Sequence, residues 1–535
     1  MSKKFFKTIS LVFAAFLLTA NLGACKKKET VNTPSTTVTK SVTSSNNTRK
    51  LSTSTKSKNS TTNNGTTSAN KNLNTDTDEK ANDITSQYFG ITSSEDIKKL
   101  LNINPMDEVP ITNIPDNIDL NGATVKIVYD TNINKSPGSP PTNLELAQNP
   151  NLIARYNIIE KAKKKLNFEI NWVYRSHDNM IYEYMDAIAA GTKYADILLS
   201  STKRVFPTLA IKKLIVPIDN FIDFNNNPVY NFGAIATGTE FLGRRWGLVY
   251  NPYSVGYVFF YNRDIFAKEG FTDVQELYEQ GLWTWDTMVE YAKSVTHDFN
   301  GDGKIDQWGI LLSNLHMATQ ALIASNGGDM VRYDSNANTY KFAANEIKAA
   351  RALQLVNDLV SSKVTTPDSS VKFDKFPSAM VLGKIVSDGL AYKQIGMNYG
   401  IAPLPKGPDV SETQFVNGEG VNAYFIPLNT DPKIAAAIIK EAFTYWDTNA
   451  SEYLTKEDIM YSNLQPYLST EEDVQWTMQN FASPRVTVTP AFETLYSNFN
   501  SNVVLKVAWN ESTPAAALQA QADALQSDID SALRP

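Results

Sequence analysis

The chain has 535 residues, 42% hydrophobic, 11% aromatic and 20% charged, with a formal net charge of −6; this is globular composition with length for two domains or one large bilobed unit. One cysteine excludes a disulfide framework, a zinc ribbon and a four-cysteine iron–sulfur site, and three separated histidines (His177, His297, His316) exclude HExxH and multi-histidine metal centres. GxxxxGKS/T, GxGxxG after a strand and GxSxG do not occur, which sets aside P-loop, dinucleotide and nucleophile-elbow chemistry.

Lys3, Lys4 and Lys7 precede an apolar run from Ile9 to Ala20, too short to span a bilayer and flanked like a signal peptide. Leu22-Gly23-Ala24-Cys25 follows and resembles the bacterial lipoprotein lipobox at all four positions. The resemblance implies residues 1–25 as a cleaved leader and Cys25 as the lipidated new N-terminus, anchored at the extracellular face of the membrane. The alternative is an ordinary secretion signal with a chance cysteine. Residues 26–80 are Ser, Thr, Asn and Lys with almost nothing apolar, a composition expected to form a disordered tether. Residues 26–75 carry net +8 and residues 76–535 net −17. A basic tether suits an anionic membrane or wall polymer, or is simply a solvated spacer; its composition resembles low-GC Gram-positive chains. The acidic body argues against nucleic acid as ligand.

The body reads as alternating strands and helices. Thr124 to Tyr129 is a short apolar strand. Leu152, Ile153, Tyr156, Ile159, Ala162 and Leu166 fall at helical spacing, and Phe168 to Tyr174 alternates like a strand. Met180 to Ala190 is helical and stops at Gly191; Ala195 to Leu199 is a buried strand. This order predicts βαβ units, a parallel sheet and ligand contacts at the carboxyl ends of strands, at Asp130-Thr131-Asn132 and Ser200 to Arg204.

Several segments then resemble family 1 extracellular solute-binding proteins, the lipoprotein receptors of sugar ABC importers. They are Tyr194 to Leu198 with Leu214 to Asp219, Phe260 to Phe266 (FYNRDIF), Trp283 to Asp286 (WTWD) and Asp298 to Gly309 (DFNGDGKIDQWG). Ala324 to Gly328 (ASNGG), Phe376 to Gly383 and Asn398 to Pro408 (NYGIAPLPKGP) complete the series, whose order and spacing carry the resemblance. It implies an α/β, two-lobed periplasmic-binding-protein-like fold of type II, maltose-binding-protein-like, with hinge strands between lobes. Residues 81–535 would form the solute-binding domain, with lobe 1 at about 120–255 and 424–480 and lobe 2 at about 256–413 and 484–535. The chain crossings would lie near Leu248 to Tyr261 and Gln414 to Ala423. Ligand would sit in the cleft as the lobes close.

Within the Asp298 loop, Asp298, Asn300, Asp302, the Lys304 carbonyl and Asp306 occupy positions 1, 3, 5, 7 and 9 of an EF-hand-like loop, with Gly303 at the sharp turn. Position 12 is Gly309 rather than glutamate, so the expectation is a weak structural calcium site or an Asx-rich turn without metal. No organic cofactor is expected. Candidate ligand contacts are Asp130 and Asn132, Ser201 and Arg204, Ser254 and Tyr257 on the first crossing, Asn314 and His316, and Asp388. The last lies where relatives carry a ligand tryptophan that Ser387-Asp388-Gly389-Leu390 lacks. Trp283 and Trp285 read as core flanking a Thr284 N-cap rather than as a stacking platform.

The function so implied is a lipid-anchored, monomeric, non-catalytic receptor that binds a carbohydrate, an oligosaccharide in size, and hands it to ABC permease subunits. Two other readings stand beside it. One is a surface glycoside hydrolase, which would need two carboxylates flanking the scissile bond. The other is a surface lipoprotein of the same fold used for adhesion, sensing or a non-sugar ligand.

Overall fold

A computed structural model describes residues 94–102, 111–130, 139, 142, 150–253, 255–312, 314–447 and 455–535. Cys25, the tether, Asn132 and Ser254 lie outside them. The strands that shape the molecule are, in chain order, β1 (Ala123–Tyr129), β2 (Phe168–Tyr174), β3 (Ile197–Ser201), β4 (Ile215–Val216), β5 (Gly247–Val249) and β6 (Tyr257–Asn262). These are followed by β7 (Trp308–Leu311), β8 (Ser378–Lys384), β9 (Tyr399–Ala402), β10 (Val416–Asn417), β11 (Asn422–Pro427) and β12 (Arg485–Val486).

Lobe 1 grows from the predicted βαβ units. β1 pairs in parallel with β2 and β3, and the helices Pro150–Leu166 and His177–Ala189 make the crossovers. β3 (ILLSS) is buried throughout, as expected of a parallel strand covered on both faces. The sheet is completed by a distant segment. β11 runs antiparallel to β3, and β4 and β5 pair with β11, giving the order β2-β1-β3-β11-β4 with β5 also on β11. Ile127, Leu166, Ile197, Leu199, Ile426 and Ile438 pack one face of this sheet.

Lobe 2 is a four-stranded mixed sheet, β9-β6-β8-β7, in which β6 is antiparallel to both neighbours and β8 is parallel to β7. Its conspicuous motifs are structural. Asn262 caps the helix Arg263–Glu269 by accepting from the Asp264 and Ile265 amides, and Gly270 closes that helix at φ 70°. Thr284 caps Trp285–Val295, as the sequence predicts. Trp283 and Trp285 are buried, with their indole N–H groups donated to the Pro403 carbonyl and Ser325 Oγ, each at 2.9 Å. Asn326 ties ASNGG to the PLPKGP run: it donates to Asp409 Oδ2 at 2.6 Å and accepts the Asp409 amide at 2.8 Å.

The chain passes between the lobes more than once. The first crossing joins β5 to β6. The second leads through β10 to β11, with β12 laid parallel to β10. Gly256 shows how closely these strands run: it sits at φ +77°, and a Cβ there would lie 2.2 Å from the Val416 carbonyl oxygen. The return to lobe 2 comes earlier than residue 484. Leu464, Leu468 and Val474 pack with Val258, Phe260 and Tyr399. Asp473, 1% exposed, receives Arg263 in a two-pronged pair at 2.7 and 2.9 Å. The C-terminal helix Pro514–Ala532 belongs to lobe 2, packing on the hairpin strand Thr339–Phe342 and on Ile347–Ser361. Stacked rings of Phe206 and Phe241, followed by Phe492, carry apolar contact from lobe 1 to lobe 2.

Candidate functional site

The strand ends dictate where the lobes face each other. In lobe 1, Asp130 follows the end of β1 and β3 ends at Ser201, with Asn422 of β11 opposite Ser201. In lobe 2, Tyr257 begins β6 opposite Lys384 at the end of β8. The second crossing runs through this gap, and Glu419 is the one charged side chain between Val416 and Pro427.

Glu419 lines two open cavities. One, of about 120 Å³, is bounded by Lys203, Arg204, Gly418, Pro490, Glu493 and Tyr496. The other, of about 250 Å³, is walled mainly by Tyr250, Tyr253, Tyr257, Lys384, Val386 and Val421. The polar centre is well defined. The buried Tyr257 hydroxyl donates to Gln320 Oε1 at 3.0 Å and approaches Glu419 Oε1 at 3.4 Å. Lys384 Nζ reaches Glu419 Oε2 at 3.5 Å, and Arg204 Nη1 reaches Glu493 at 3.7 Å. These last two pairs are loose and partly solvated, so their donors remain able to serve a ligand; Arg204 Nε is buried with no partner among the described residues. Burial holds the Tyr257 phenol well above its usual range, so it stays protonated as a donor.

His316 lies against Tyr496 with ring centres 3.4 Å apart, and its buried Nε2 has no partner among the described residues. Burial pushes its imidazole down to about 4, so the ring is neutral at physiological pH. Rings, planar donors and carboxylates around an open cleft are the groups that recognise the C–H faces and hydroxyls of a pyranose.

Of the residues singled out by sequence, Arg204 and Tyr257 line the cleft, and His316 backs the Tyr496 ring. Ser201 is buried at the end of β3. Asp130 is also buried: it accepts Ser200 Oγ at 2.7 Å, lies 3.1 Å from His177 Nδ1, and is raised in pKa by desolvation. Asn314 caps the helix Leu315–Ser325 by accepting the Met317 amide. Asp388 closes its own turn, accepting the Lys384 amide at 2.7 Å and Ser387 Oγ at 3.0 Å. Neither Asn314 nor Asp388 lines the two cavities. Sequence reasoning missed Glu419, Gln320, Lys384, Glu493 and Tyr496. Glu419 could have been found as the lone charge of the predicted second crossing; Tyr496 had no local signal, since only the tertiary fold brings the C-terminal region beside β3.

The Asp298 loop is exposed and satisfied from within. Asp298 accepts the Gly301 and Gly303 amides at 2.7 and 2.8 Å, which hold its carboxyl below the usual range. Asn300 accepts the Asp302 amide, Asp302 the Lys304 amide and Asp306 the Phe299 amide, each at 2.8 Å. Among the described residues no three carboxylate, histidine or cysteine side chains converge as a cation site. One oxygen each of Asn300, Asp302 and Asp306, and both of Asp298, thus accept backbone N–H groups of the loop itself.

Two α/β lobes facing each other across a cleft, joined by several crossings, define a ligand-binding receptor of the two-lobed periplasmic-binding-protein type. The sequence profile of the bacterial extracellular solute-binding proteins matches residues 150–450, and the chain belongs to that family, a family of binding proteins rather than enzymes. No curated protein matches the chain by sequence. Similar solved structures include an ABC substrate-binding protein from Listeria monocytogenes in complex with cycloalternan. It is 18% identical, with TM-score 0.50 over 76% of this chain and 99% of that one. The cyclic α-maltosyl-1,6-maltose binding protein of Arthrobacter globiformis is 16% identical, with TM-score 0.52 over 77% and 99% of the two chains. A maltose-binding protein of Listeria monocytogenes in complex with maltose is 12% identical, with TM-score 0.52 over 76% and 98%. They share the maltose-binding-protein-like fold. Among the described residues no helix is long and apolar enough to cross a membrane.

Proposed function

We propose that this protein is the extracellular receptor of an ABC importer, binding a carbohydrate of oligosaccharide size in the interlobe cleft and delivering it to a membrane permease. The observation that carries the reading is the cleft centred on Glu419. Charged and hydroxyl donors (Arg204, Lys384, Tyr257) and ring surfaces (Tyr250, Tyr496) there border two cavities that share that carboxylate. Their combined extent suits more than one sugar ring, and proteins of the same fold carry cycloalternan and maltose. Closure over the ligand would give the permease a conformation to recognise. Cys25 in its lipobox would hold the receptor at the membrane by a lipid.

The test is a thermal-shift screen of the full chain against mono- and oligosaccharides with product analysis. At a hundredfold excess over Kd a ligand adds about 2.7 kcal/mol, about 3 °C for a chain with this much ordered structure. A shift with one sugar class and no product supports the receptor; no shift with any sugar refutes the carbohydrate reading, and product release refutes the non-catalytic one. Cys25→Ser should move the protein from the membrane fraction to the medium; unchanged membrane retention would refute the lipid anchor.

A further inference from the structure

Arg155 projects from the helix Pro150–Leu166 to the place where the first crossing leaves lobe 1. Its guanidinium carbon lies 4.1 Å from the centre of the Tyr250 ring and 4.2 Å from that of Tyr445. Nη2 donates to the Tyr445 hydroxyl at 2.8 Å, and that hydroxyl donates to Asn251 Oδ1 at 3.2 Å. Nε is buried with no partner among the described residues. No carboxylate among the described residues pairs with it.

Such a cation is a costly occupant. Ile158, Ile159, Ala442 and Phe443 surround the same small cavity, and a methionine would fill it without burying a charge. The guanidinium offers what methionine lacks: a flat cationic face for two aromatic rings and a fixed donor fork. One of those rings, Tyr250, also lines the larger cleft cavity, and its amide donates to the Asn422 carbonyl at 2.7 Å, where the second crossing enters the sheet.

We infer that Arg155 is a positioning residue for the ligand cleft: its guanidinium, steadied by Tyr445, locks the Tyr250 ring as a rigid wall of the cleft and holds Asn251 at the root of the hinge. For its ligand this rests on the carbohydrate reading; for the ring geometry it does not.

The ligand-free test uses the full chain labelled with 3-fluorotyrosine, with the Tyr250 and Tyr445 resonances assigned by Tyr250→Phe and Tyr445→Phe. Arg155→Met and Arg155→Lys should shift and broaden both resonances while Tyr399, in lobe 2, stays in place. Unchanged Tyr250 and Tyr445 resonances would overturn the inference. Calorimetry with maltose, maltotetraose and cycloalternan then reads function. Arg155→Met should weaken any binding at least tenfold, Arg155→Lys should not rescue it, and in a Tyr250→Ala background Arg155→Met should change nothing further. A lowered Tm with unchanged affinity would make Arg155 merely structural and overturn the proposal. If the wild type binds none of the three sugars, the carbohydrate reading is what fails, and the fluorine resonances alone decide the positioning.

Discussion

Gly256→Ala should be among the most damaging single-methyl changes in the protein. Gly256 sits at φ +77° in the first crossing, and a Cβ would stand 2.2 Å from the Val416 carbonyl oxygen, 2.8 Å from its carbon and 3.2 Å from the Asn417 amide nitrogen. Left-handed backbone costs an alanine about 1–2 kcal/mol, partly offset by about 0.4–1 kcal/mol from the stiffer unfolded chain. The overlap adds about 1–3 kcal/mol, because all three neighbours are backbone of the second crossing and cannot rotate away. Gly122→Ala is the internal control: its φ is +74°, yet nothing lies within 4 Å of the added Cβ. Gly122→Ala should therefore cost about 1 kcal/mol or less, and Gly256→Ala about 2–4 kcal/mol. With roughly 2 cal/mol/K of unfolding entropy per residue, these correspond to about 1 °C and about 2–4 °C in Tm. Calorimetric scans of both variants beside the wild type measure the difference. Equal losses would mean that the crossings are not packed as described, and the reasoning would fall.

Asp473→Ala leaves the Arg263 guanidinium with the Tyr399 carbonyl at 3.0 Å and the looser Asp273 carboxylate at 3.5 Å; it should cost about 1.5–3 kcal/mol, read by urea unfolding, with Arg263→Met/Asp473→Leu costing less than Asp473→Ala alone. The His316 imidazole has its pKa lowered to about 4 by burial, so the unfolded chain, titrating near 6.5, takes up the proton first. Its contribution is full above about pH 6.5 and is lost as pH falls toward 4, by about 3 kcal/mol; His316→Phe should flatten that part of the stability–pH curve, and an unchanged slope would contradict the burial. Calcium and chelator should leave Tm equal, since Asp298, Asp302 and Asp306 already serve backbone amides; a calcium-dependent rise of several degrees would show that the loop carboxylates can converge on the ion. Trp283→Phe, which leaves the Pro403 carbonyl without its donor, should cost about 1–3 kcal/mol by urea unfolding and spare ligand affinity.

Much of this protein is local and therefore legible in the chain. The strand β1, the helix after it and the alternation to β3 are fixed by hydrophobic period and by stops such as Gly191. Thr284 before Trp285 announces a helix start because the cap is a contact over three residues. The family resemblance ran through motifs that prove to be caps and clamps, Asn262 and Asn326 among them, which is why they give the fold and not the ligand. Asp130, Asn314 and Asp388 were sensible candidates by position, but burial, an N-cap and a self-closed turn occupy their side chains, and none of these is visible without the folded chain. What tertiary structure alone decided is the cleft. Glu419, Tyr257 and Gln320 come from three separate segments, and Tyr496 reaches Arg204's side of the gap from nearly three hundred residues away. A binding site between lobes is made of long-range contacts, and sequence periodicity carries information only over the few residues that share one helix face or one strand.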